Sequence, residues 1–199
     1  MKNIYLIGDS IRFGSVGGKG SPGYGIFVKE ILNGIANVYA PNENCRFAQY
    51  TLREIYGWSK SVDADKIDIV HWNNGLWDVM RLHGDEPLTP IDMYLNMLER
   101  IYKKIKLFFP NAKVIFSLST SVIEKNAPVG YVRYNKEIEQ YNAAAKELMN
   151  RLDVTVNDLY SITQTFDASY YSDWVHPNEK GARILADAII KSIGTECSI

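Results

Sequence analysis

Apolar residues occur along the chain in short continuous runs that alternate with longer segments of helical spacing. The clearest runs cover 4–7, 67–72 and 114–118, the second interrupted by Asp68 and His71 and the third by Ser117, and each is followed at once by Gly, Asn or Ser. Continuous apolar runs that stop at turn-forming residues are typical of the buried strands of a parallel sheet. Between the runs, apolar positions recur every three or four residues, which predicts amphipathic helices. The pattern therefore indicates strands and helices in alternation.

The order of these segments predicts an α/β fold. Strand and helix alternate about five times, and this order favours a parallel sheet with helices on both faces. We expect a three-layer α/β/α sandwich with a flavodoxin-like five-stranded parallel sheet in the order 2-1-3-4-5. In that order the ligand crevice opens between the first and third strands. No linker or repeat interrupts the pattern, so we expect residues 1–199 to form a single domain.

Charge and cysteine content exclude several classes of partner. The formal net charge of −1 provides no basic field for nucleic acid. No stretch approaches the ~18 apolar residues of a membrane span, and the amino terminus lacks the pattern of an export signal. The two cysteines, Cys45 and Cys197, form no disulfide framework. We therefore expect a cytoplasmic protein without a nucleic-acid or membrane partner; the alternative is an export signal already removed.

The first strand ends in Gly8-Asp9-Ser10, which presents a hydroxyl at the carboxyl end of the strand. Ligands of α/β sheets bind at this edge, although the same three residues also suit a simple turn. The glycine-rich stretch at 14–25 that follows matches neither the phosphate loop nor the dinucleotide fingerprint. It predicts a flexible loop at the rim of a site and argues against nucleotide binding.

A second polar motif lies near the carboxyl terminus, just before the last amphipathic run. Asp173 and His176 are three residues apart, so a turn or a first helical turn brings the carboxylate to the imidazole. A nucleophilic serine needs a base, and that base needs a group that holds its tautomer. Ser10, His176 and Asp173 together supply these three roles.

With both motifs in place, the sequence resembles the SGNH (GDSL) hydrolases over residues 3 to 193. The resemblance implies a serine ester hydrolase that needs no cofactor. It also implies that Ser10 attacks the acyl carbon, that His176 is the base and that Asp173 orients the imidazole. In this family a glycine N–H after the second strand and an asparagine amide after the third strand hold the oxyanion.

The two middle motifs depart from the family pattern. Arg46 stands closest to the expected glycine; its backbone N–H can still donate, and its side chain can instead pair with a surface carboxylate. After the third strand, where the family has Gly-x-Asn-Asp, two registers are open. Aligning Asn74 with the family asparagine leaves no glycine two positions earlier, whereas aligning Gly75 with the family glycine puts Trp77 at the position of the asparagine. Asn74, Asn73 and Arg46 are therefore the oxyanion or substrate-binding candidates, with Asn74 favoured, although asparagines also form plain turns.

Aromatic residues near the motif segments indicate the substrate. They are Trp58, Trp72, Trp77, Tyr170, Tyr171 and Trp174. Aromatic faces suit sugar rings, although such residues also fill cores. The resembled family includes carbohydrate acetylesterases, lysophospholipases and thioesterases. We expect small acyl groups, acetyl in particular, to be removed from a carbohydrate, so that the partner is a small-molecule or oligosaccharide ester substrate. The alternatives are a lysophospholipase or thioesterase activity, and a degenerate hydrolase that binds sugar without turnover.

The histidines and cysteines are too scattered to predict a metal site. His71, His83 and His176 lie on different segments, and the sequence contains no Cys-x-x-Cys pair. His71 falls within an apolar run, which favours a packed histidine over a ligand. We expect neither a metal nor a cofactor.

Overall fold

A five-stranded parallel sheet forms the centre of the computed structural model, which describes residues 1–15 and 20–197. The sheet strands and a separate antiparallel ribbon together make up seven strands: β1 (Lys2–Ile7), β2 (Ala36–Tyr39), β3 (Ile69–Trp72), β4 (Arg81–Leu82), β5 (Lys113–Ser117), β6 (Tyr131–Val132) and β7 (Thr155–Asn157). β4 and β6 form the ribbon. Part of the predicted rim loop, 16–19, lies outside the described residues.

The sheet has the order β2-β1-β3-β5-β7, and all its neighbouring strands are parallel. Counted over the sheet strands alone, this is the predicted order 2-1-3-4-5. Ile7 pairs with Trp72, so β1 and β3 end at the same level, and the Asn73 N–H donates to the Ile7 carbonyl at 3.0 Å. The crevice at this edge therefore lies between the segments that follow β1 and β3.

Helices cover both faces of the sheet, which confirms the three-layer arrangement. They are α1 (Ser10–Phe13), α2 (Tyr24–Ile31), α3 (Ala48–Ser59), α4 (Ile91–Phe108), α5 (Asn135–Arg151), α6 (Leu159–Thr163) and α7 (Glu179–Glu196). α3, α4 and α5 pack one against the next, and α2 packs against α7. Within the described part of the chain, no helix has the length and apolar character needed to cross a membrane.

The central strands are buried on both faces, which accounts for their continuous apolar sequence. Ile4 to Ile7 of β1 are at most 1% exposed, and all four residues of β3 are buried. A strand covered on only one face would alternate apolar and polar residues instead. His71 of β3 lies in this core, where burial lowers its pKa to about 3.

The loop between β2 and α3 is fastened beside the end of β1. The buried Arg12 guanidinium donates to the carbonyl oxygens of Pro41, at 3.0 Å, and Glu43. The Cys45 N–H donates to the Gly8 carbonyl at 3.1 Å. These bonds give hydrogen-bond partners both to the buried Arg12 guanidinium and to backbone groups of the loop. Loop 41–47 is therefore held next to the first strand.

Candidate active site

Ser10 is positioned by the two residues before it. A Cβ on Gly8 would lie 2.8 Å from the Arg12 Cβ, so only glycine lets the chain leave β1 this closely. Asp9 then caps α1, since its Oδ1 accepts a hydrogen bond from the Ile11 N–H at 2.9 Å. Ser10 is the first residue of α1 and borders the crevice.

The Asp173–His176 segment folds into a tight turn that orders its own side chains. Asp173 Oδ1 accepts hydrogen bonds from the N–H groups of Val175 and His176, each at 2.7 Å. The Ser172 N–H closes the turn on the His176 carbonyl at 2.9 Å. The other carboxylate oxygen, Oδ2, lies 2.6 Å from Nδ1 of the His176 ring. The turn thus fixes the orientation of the imidazole.

The serine near the amino terminus and the histidine motif near the carboxyl terminus meet at this imidazole. Nε2 of His176 lies 2.9 Å from the Ser10 hydroxyl oxygen. When Nδ1 donates its proton to Asp173, Nε2 is left as an acceptor for the serine hydroxyl proton. The His176 side chain is only 18% exposed, whereas that of Asp173 is 43% exposed. The arrangement can activate a serine as a nucleophile.

The two carboxyl groups of the site have opposite pKa shifts. Burial alone would raise the pKa of Asp173, but the hydrogen bonds from the His176 ring and from the N–H groups of His176 and Val175 lower it to about 2. Burial raises the pKa of Asp9, which is completely buried, although the Ile11 N–H and the charge of Arg133 oppose this shift. Asp173 therefore stays ionised near neutral pH, as the orientation of a histidine base requires.

Two neighbouring cavities open at Ser10 and His176. The first, of about 200 Å³, is lined by Ser10, Leu76, Trp77, Met80, Pro128, Tyr131, Arg133, Asp173, Trp174, Val175 and His176. The second, of about 290 Å³, is lined by Ser10, Phe13, Gly14, Ser15, Asn44, Trp77 and His176. Trp77 belongs to both. A larger cavity of about 490 Å³ includes Lys113, the first residue of β5, and contains none of the candidate site residues.

The Asn74 side chain is completely buried and fully engaged within the protein. Its Nδ2 donates to the Arg46 carbonyl and to the Thr51 hydroxyl, both at 3.0 Å. Its Oδ1 accepts a hydrogen bond from the Trp72 indole at 2.7 Å. An amide has only two N–H donors, so Asn74 would have to exchange one of these bonds to bind an oxyanion. In this structure it ties the β2–α3 loop to the end of β3.

The other two predicted oxyanion donors also have partners. Asn73 Nδ2 donates to the Ser117 carbonyl at 3.0 Å, and the Arg46 N–H donates to Asn44 Oδ1 at 2.8 Å. Arg46 has a φ of 52°, in the left-handed region that glycine adopts freely and other residues rarely do. This agrees with a glycine at that point in the resembled family. The Arg46 guanidinium lies over the Tyr50 ring, 4.6 Å from its centre.

Two further polar residues line the cavities. Asn44 borders the second cavity, and its Nδ2 has no hydrogen-bond partner among the described residues, since only its Oδ1 is engaged. Arg133 borders the first cavity and is 6% exposed. Sequence reasoning missed both, because an asparagine among turn formers and a lone arginine in a loop give no periodic signal. Only the packing of distant loops brings them to Ser10.

A serine at a strand end, hydrogen-bonded to a histidine that a carboxylate orients, is the arrangement of hydrolases that work through an acyl-enzyme. The chain matches the model of the GDSL-like Lipase/Acylhydrolase family over residues 6–184. It therefore belongs to that family of hydrolases acting on esters, as its resemblance to the SGNH (GDSL) hydrolases predicted. No curated protein matches the chain.

Solved structures with the same fold cover almost the whole chain. A lipase/acylhydrolase from Enterococcus faecalis is 21% identical, with a TM-score of 0.77 over 98% of this chain and 96% of that one. The Axe2 acetylxylan esterase from Geobacillus stearothermophilus is also 21% identical, with a TM-score of 0.67 over 97% and 94%. A family 3 carbohydrate esterase from Clostridium thermocellum is 18% identical, with a TM-score of 0.69 over 98% and 96%.

Proposed function

We propose that this protein is a serine esterase that removes small acyl groups, acetyl in the first instance, from a carbohydrate. The observation that carries the proposal is the continuous hydrogen-bonded series from Ser10 through His176 to Asp173, at 2.9 and 2.6 Å. It opens on two small cavities rather than on a long channel. Similarity to an acetylxylan esterase and to a carbohydrate esterase supports the same choice of substrate.

The reaction follows from the roles of the three side chains. Ser10 Oγ attacks the acyl carbon while His176 Nε2 takes the hydroxyl proton. The C–O bond to the alcohol then breaks, and His176 returns the proton to the leaving alcohol. Water, activated by the same imidazole, hydrolyses the acyl-serine and restores the enzyme. Asp173 keeps Nδ1 protonated and stabilises the imidazolium that forms in each half-reaction.

The negative oxygen of the tetrahedral intermediate needs hydrogen-bond donors, and we propose two for it. One is the Ser10 N–H, and the other is the side-chain amide nitrogen of Asn44, a residue that lines the same cavity as Ser10. The bond from the Arg46 N–H to Asn44 Oδ1 orients that amide. A second set of candidate donors consists of Asn74, Asn73 and the Arg46 N–H. Each of them must first break a hydrogen bond that it makes within the protein before it can donate to the substrate.

The walls of the first cavity support a sugar ester. Trp77, Tyr131 and Trp174 supply aromatic surface on which the apolar faces of a pyranose ring pack. A volume of about 200 Å³ has room for roughly one such ring beside the nucleophile. With the sugar ring in the first cavity, the acyl group enters the second cavity, of about 290 Å³. A long acyl chain would have to leave that cavity and lie in solvent, which removes the driving force for binding it.

The test is acetate release from acetylated methyl xyloside, compared with hydrolysis of 4-nitrophenyl acetate. Turnover of both, with a catalytic efficiency for the sugar that equals or exceeds that for the aryl ester, is the expected result. Hydrolysis of the aryl ester alone would overturn the carbohydrate assignment. Calorimetric binding of the acetylated sugar without release of acetate would instead indicate a degenerate hydrolase that only binds its ligand.

A further inference from the structure

The first cavity contains a buried cation that the ester-cleaving reaction does not use. Arg133 follows β6 and is 6% exposed, yet its guanidinium forms no ion pair with any described residue. Only Nε has a partner within the described chain, the carbonyl of Leu76. The two terminal nitrogens, Nη1 and Nη2, remain available as hydrogen-bond donors. Arginine is rarely buried without a counter-charge, so this one calls for an explanation.

The side chain is held in one orientation. In addition to the bond from Nε, the guanidinium carbon lies 5.2 Å from the centre of the Trp174 ring, within the range of a cation–π contact. Trp174 lies between Asp173 and His176 in sequence, so this contact also ties the arginine to the turn that carries the imidazole. A guanidinium fixed along one edge presents its remaining nitrogens as a rigid, planar pair of donors.

Nearby carboxylates compensate the charge only in part. Burial lowers the pKa of Arg133 to about 10, and the charges of Asp9 and Asp173 oppose this shift. Asp173 is already committed to His176, and burial raises the pKa of Asp9. Neither carboxylate lies within ion-pair distance of the guanidinium. The guanidinium of Arg133 therefore borders the cavity without a directly paired carboxylate, although Asp173 lines the same cavity.

We propose that Arg133 binds a carboxylate on the sugar that carries the ester, so that the preferred substrate is an O-acetylated sugar acid. Arg133 and Ser10 both line the cavity of about 200 Å³, a volume that corresponds to roughly one monosaccharide. A planar carboxylate matches the paired donors of a guanidinium better than a hydroxyl does. This inference rests on the proposed esterase function and adds the substrate class to it.

Three acetylated methyl glycosides test the proposal: those of galacturonic acid, of galactose and of galactose 6-sulfate. The first two differ only in a carboxylate that replaces a hydroxymethyl group. For the unmodified protein we expect kcat/KM for the galacturonoside to exceed that for the galactoside by at least about tenfold, because charge-assisted bonds to arginine are strong. Equal values would overturn the inference, and a preference for the sulfate would overturn the choice of a carboxylate.

Variants of the arginine test whether it is the source of the preference. Arg133→Gln should reduce the galacturonoside-to-galactoside ratio to near one, chiefly through KM, and Arg133→Lys should leave an intermediate ratio. The matched control is Arg100→Gln, which removes one positive charge from the exposed face of α4 and should leave the ratio unchanged. A ratio that survives Arg133→Gln in a folded protein would contradict the proposal. If that variant fails to fold, competitive inhibition of the unmodified protein by galacturonate, measured against galactose, decides the question.

Binding to the Ser10→Ala protein separates this inference from the proposed function, since it requires no turnover. Calorimetry should show at least about tenfold tighter binding of the acetylated galacturonoside than of the galactoside. If this preference holds although the unmodified protein cleaves no ester, the anion site stands and the esterase proposal fails. If esters are cleaved and neither binding nor kcat/KM depends on the carboxylate, the esterase stands and the anion site fails.

Discussion

Ser10 and His176 lie 166 positions apart in the chain, and their side chains are joined by a hydrogen bond of 2.9 Å between Oγ and Nε2. Each residue is held by its own local segment: the capped start of α1 for the serine and the Asp173 turn for the histidine. Two rigid segments that meet in this way need little rearrangement before reaction. Such preorganisation is a large part of what an enzyme contributes to catalysis.

Replacing the nucleophile tests this relationship most directly. Ser10→Ala should reduce kcat for 4-nitrophenyl acetate by at least about 1000-fold, because no other group can form the acyl-enzyme. The measurement is initial rate together with the thermal unfolding midpoint, which should remain close to that of the unmodified protein. Ser172→Ala, which removes an exposed hydroxyl next to Asp173, is the control and should retain full activity. Wild-type turnover by Ser10→Ala would remove Ser10 as the nucleophile.

Asn44 and Asn74 should respond differently to substitution. Asn44→Asp retains an acceptor for the Arg46 N–H but removes the free amide donor, so kcat should fall about 100- to 1000-fold with little change in KM. Asn74→Ala removes three internal hydrogen bonds and should lower the free energy of unfolding by about 2–4 kcal/mol.

Activity and urea unfolding measured on both variants check this pair of expectations. Loss of kcat in a fully stable Asn74→Ala protein, with normal activity of Asn44→Asp, would transfer the oxyanion role to Asn74. The control is Asn111→Ala, at the amino edge of β5 and far in the fold from Ser10, which should change neither quantity by much.

Esters of short acyl chains should be hydrolysed faster than esters of long ones, which is the opposite of the preference of a lipase. In a matching apolar channel each added methylene contributes ~0.8 kcal/mol, and kcat/KM rises with chain length. In the second cavity, acetyl and propionyl esters should exceed octanoyl by at least about tenfold in kcat/KM, or about 1.4 kcal/mol. A series of 4-nitrophenyl esters from two to twelve carbons, run below micelle formation, provides the measurement.

Enlarging the second cavity offers a matched comparison for that series. Phe13 is half-buried and forms part of the wall of this cavity, so Phe13→Ala should move the optimum toward longer chains. A maximum at eight carbons or more in the unmodified protein would overturn the acetylesterase proposal and favour the lysophospholipase or thioesterase alternative. It would leave the roles of Ser10, His176 and Asp173 intact.

The pH dependence of stability should report on a second buried carboxyl group, Asp78. Both of its oxygens lie near the Ala48 N–H at the start of α3, at 3.0 and 3.3 Å, and burial raises its pKa from 3.8 to about 7. As the pH rises, the folded protein therefore keeps the proton on the Asp78 carboxyl group at pH values at which the unfolded chain has already lost it. Stability from this group is complete below about pH 4 and is lost as the pH rises to about 7.

Between pH 5 and pH 8 this loss amounts to about 3 kcal/mol in the free energy of unfolding. Asp78→Asn, which keeps an acceptor for the Ala48 N–H, should lose correspondingly less stability over the same interval. Urea unfolding at the two pH values checks this, with Asp187→Asn on the exposed side of α7 as the control. Parallel curves for Asp78→Asn and the unmodified protein would contradict the raised pKa.

Several features of this protein depend on residues close together in the chain, and these features can be predicted from the sequence. The apolar run of β1 predicts a strand because a doubly covered strand requires continuous apolar residues, and Gly8-Asp9-Ser10 ends it because a glycine permits the close turn. Asp173 and His176 can be paired from their spacing, since a single turn brings them together. The alternation of strand and helix predicts the parallel sheet, and the observed order 2-1-3-4-5 is one of the two common orders of such sheets.

Only the tertiary structure decided which polar groups face the crevice and which are engaged elsewhere. From the sequence Asn74 and Asn44 are equivalent amides, yet the packing of the β2–α3 loop gives Asn74 three partners and leaves the Asn44 nitrogen free within the described chain. Arg133 lines the first cavity, where its guanidinium packs on the ring of Trp174, a residue 41 positions further along the chain. The partners of a side chain depend on loops distant in sequence, and no local pattern encodes how those loops pack.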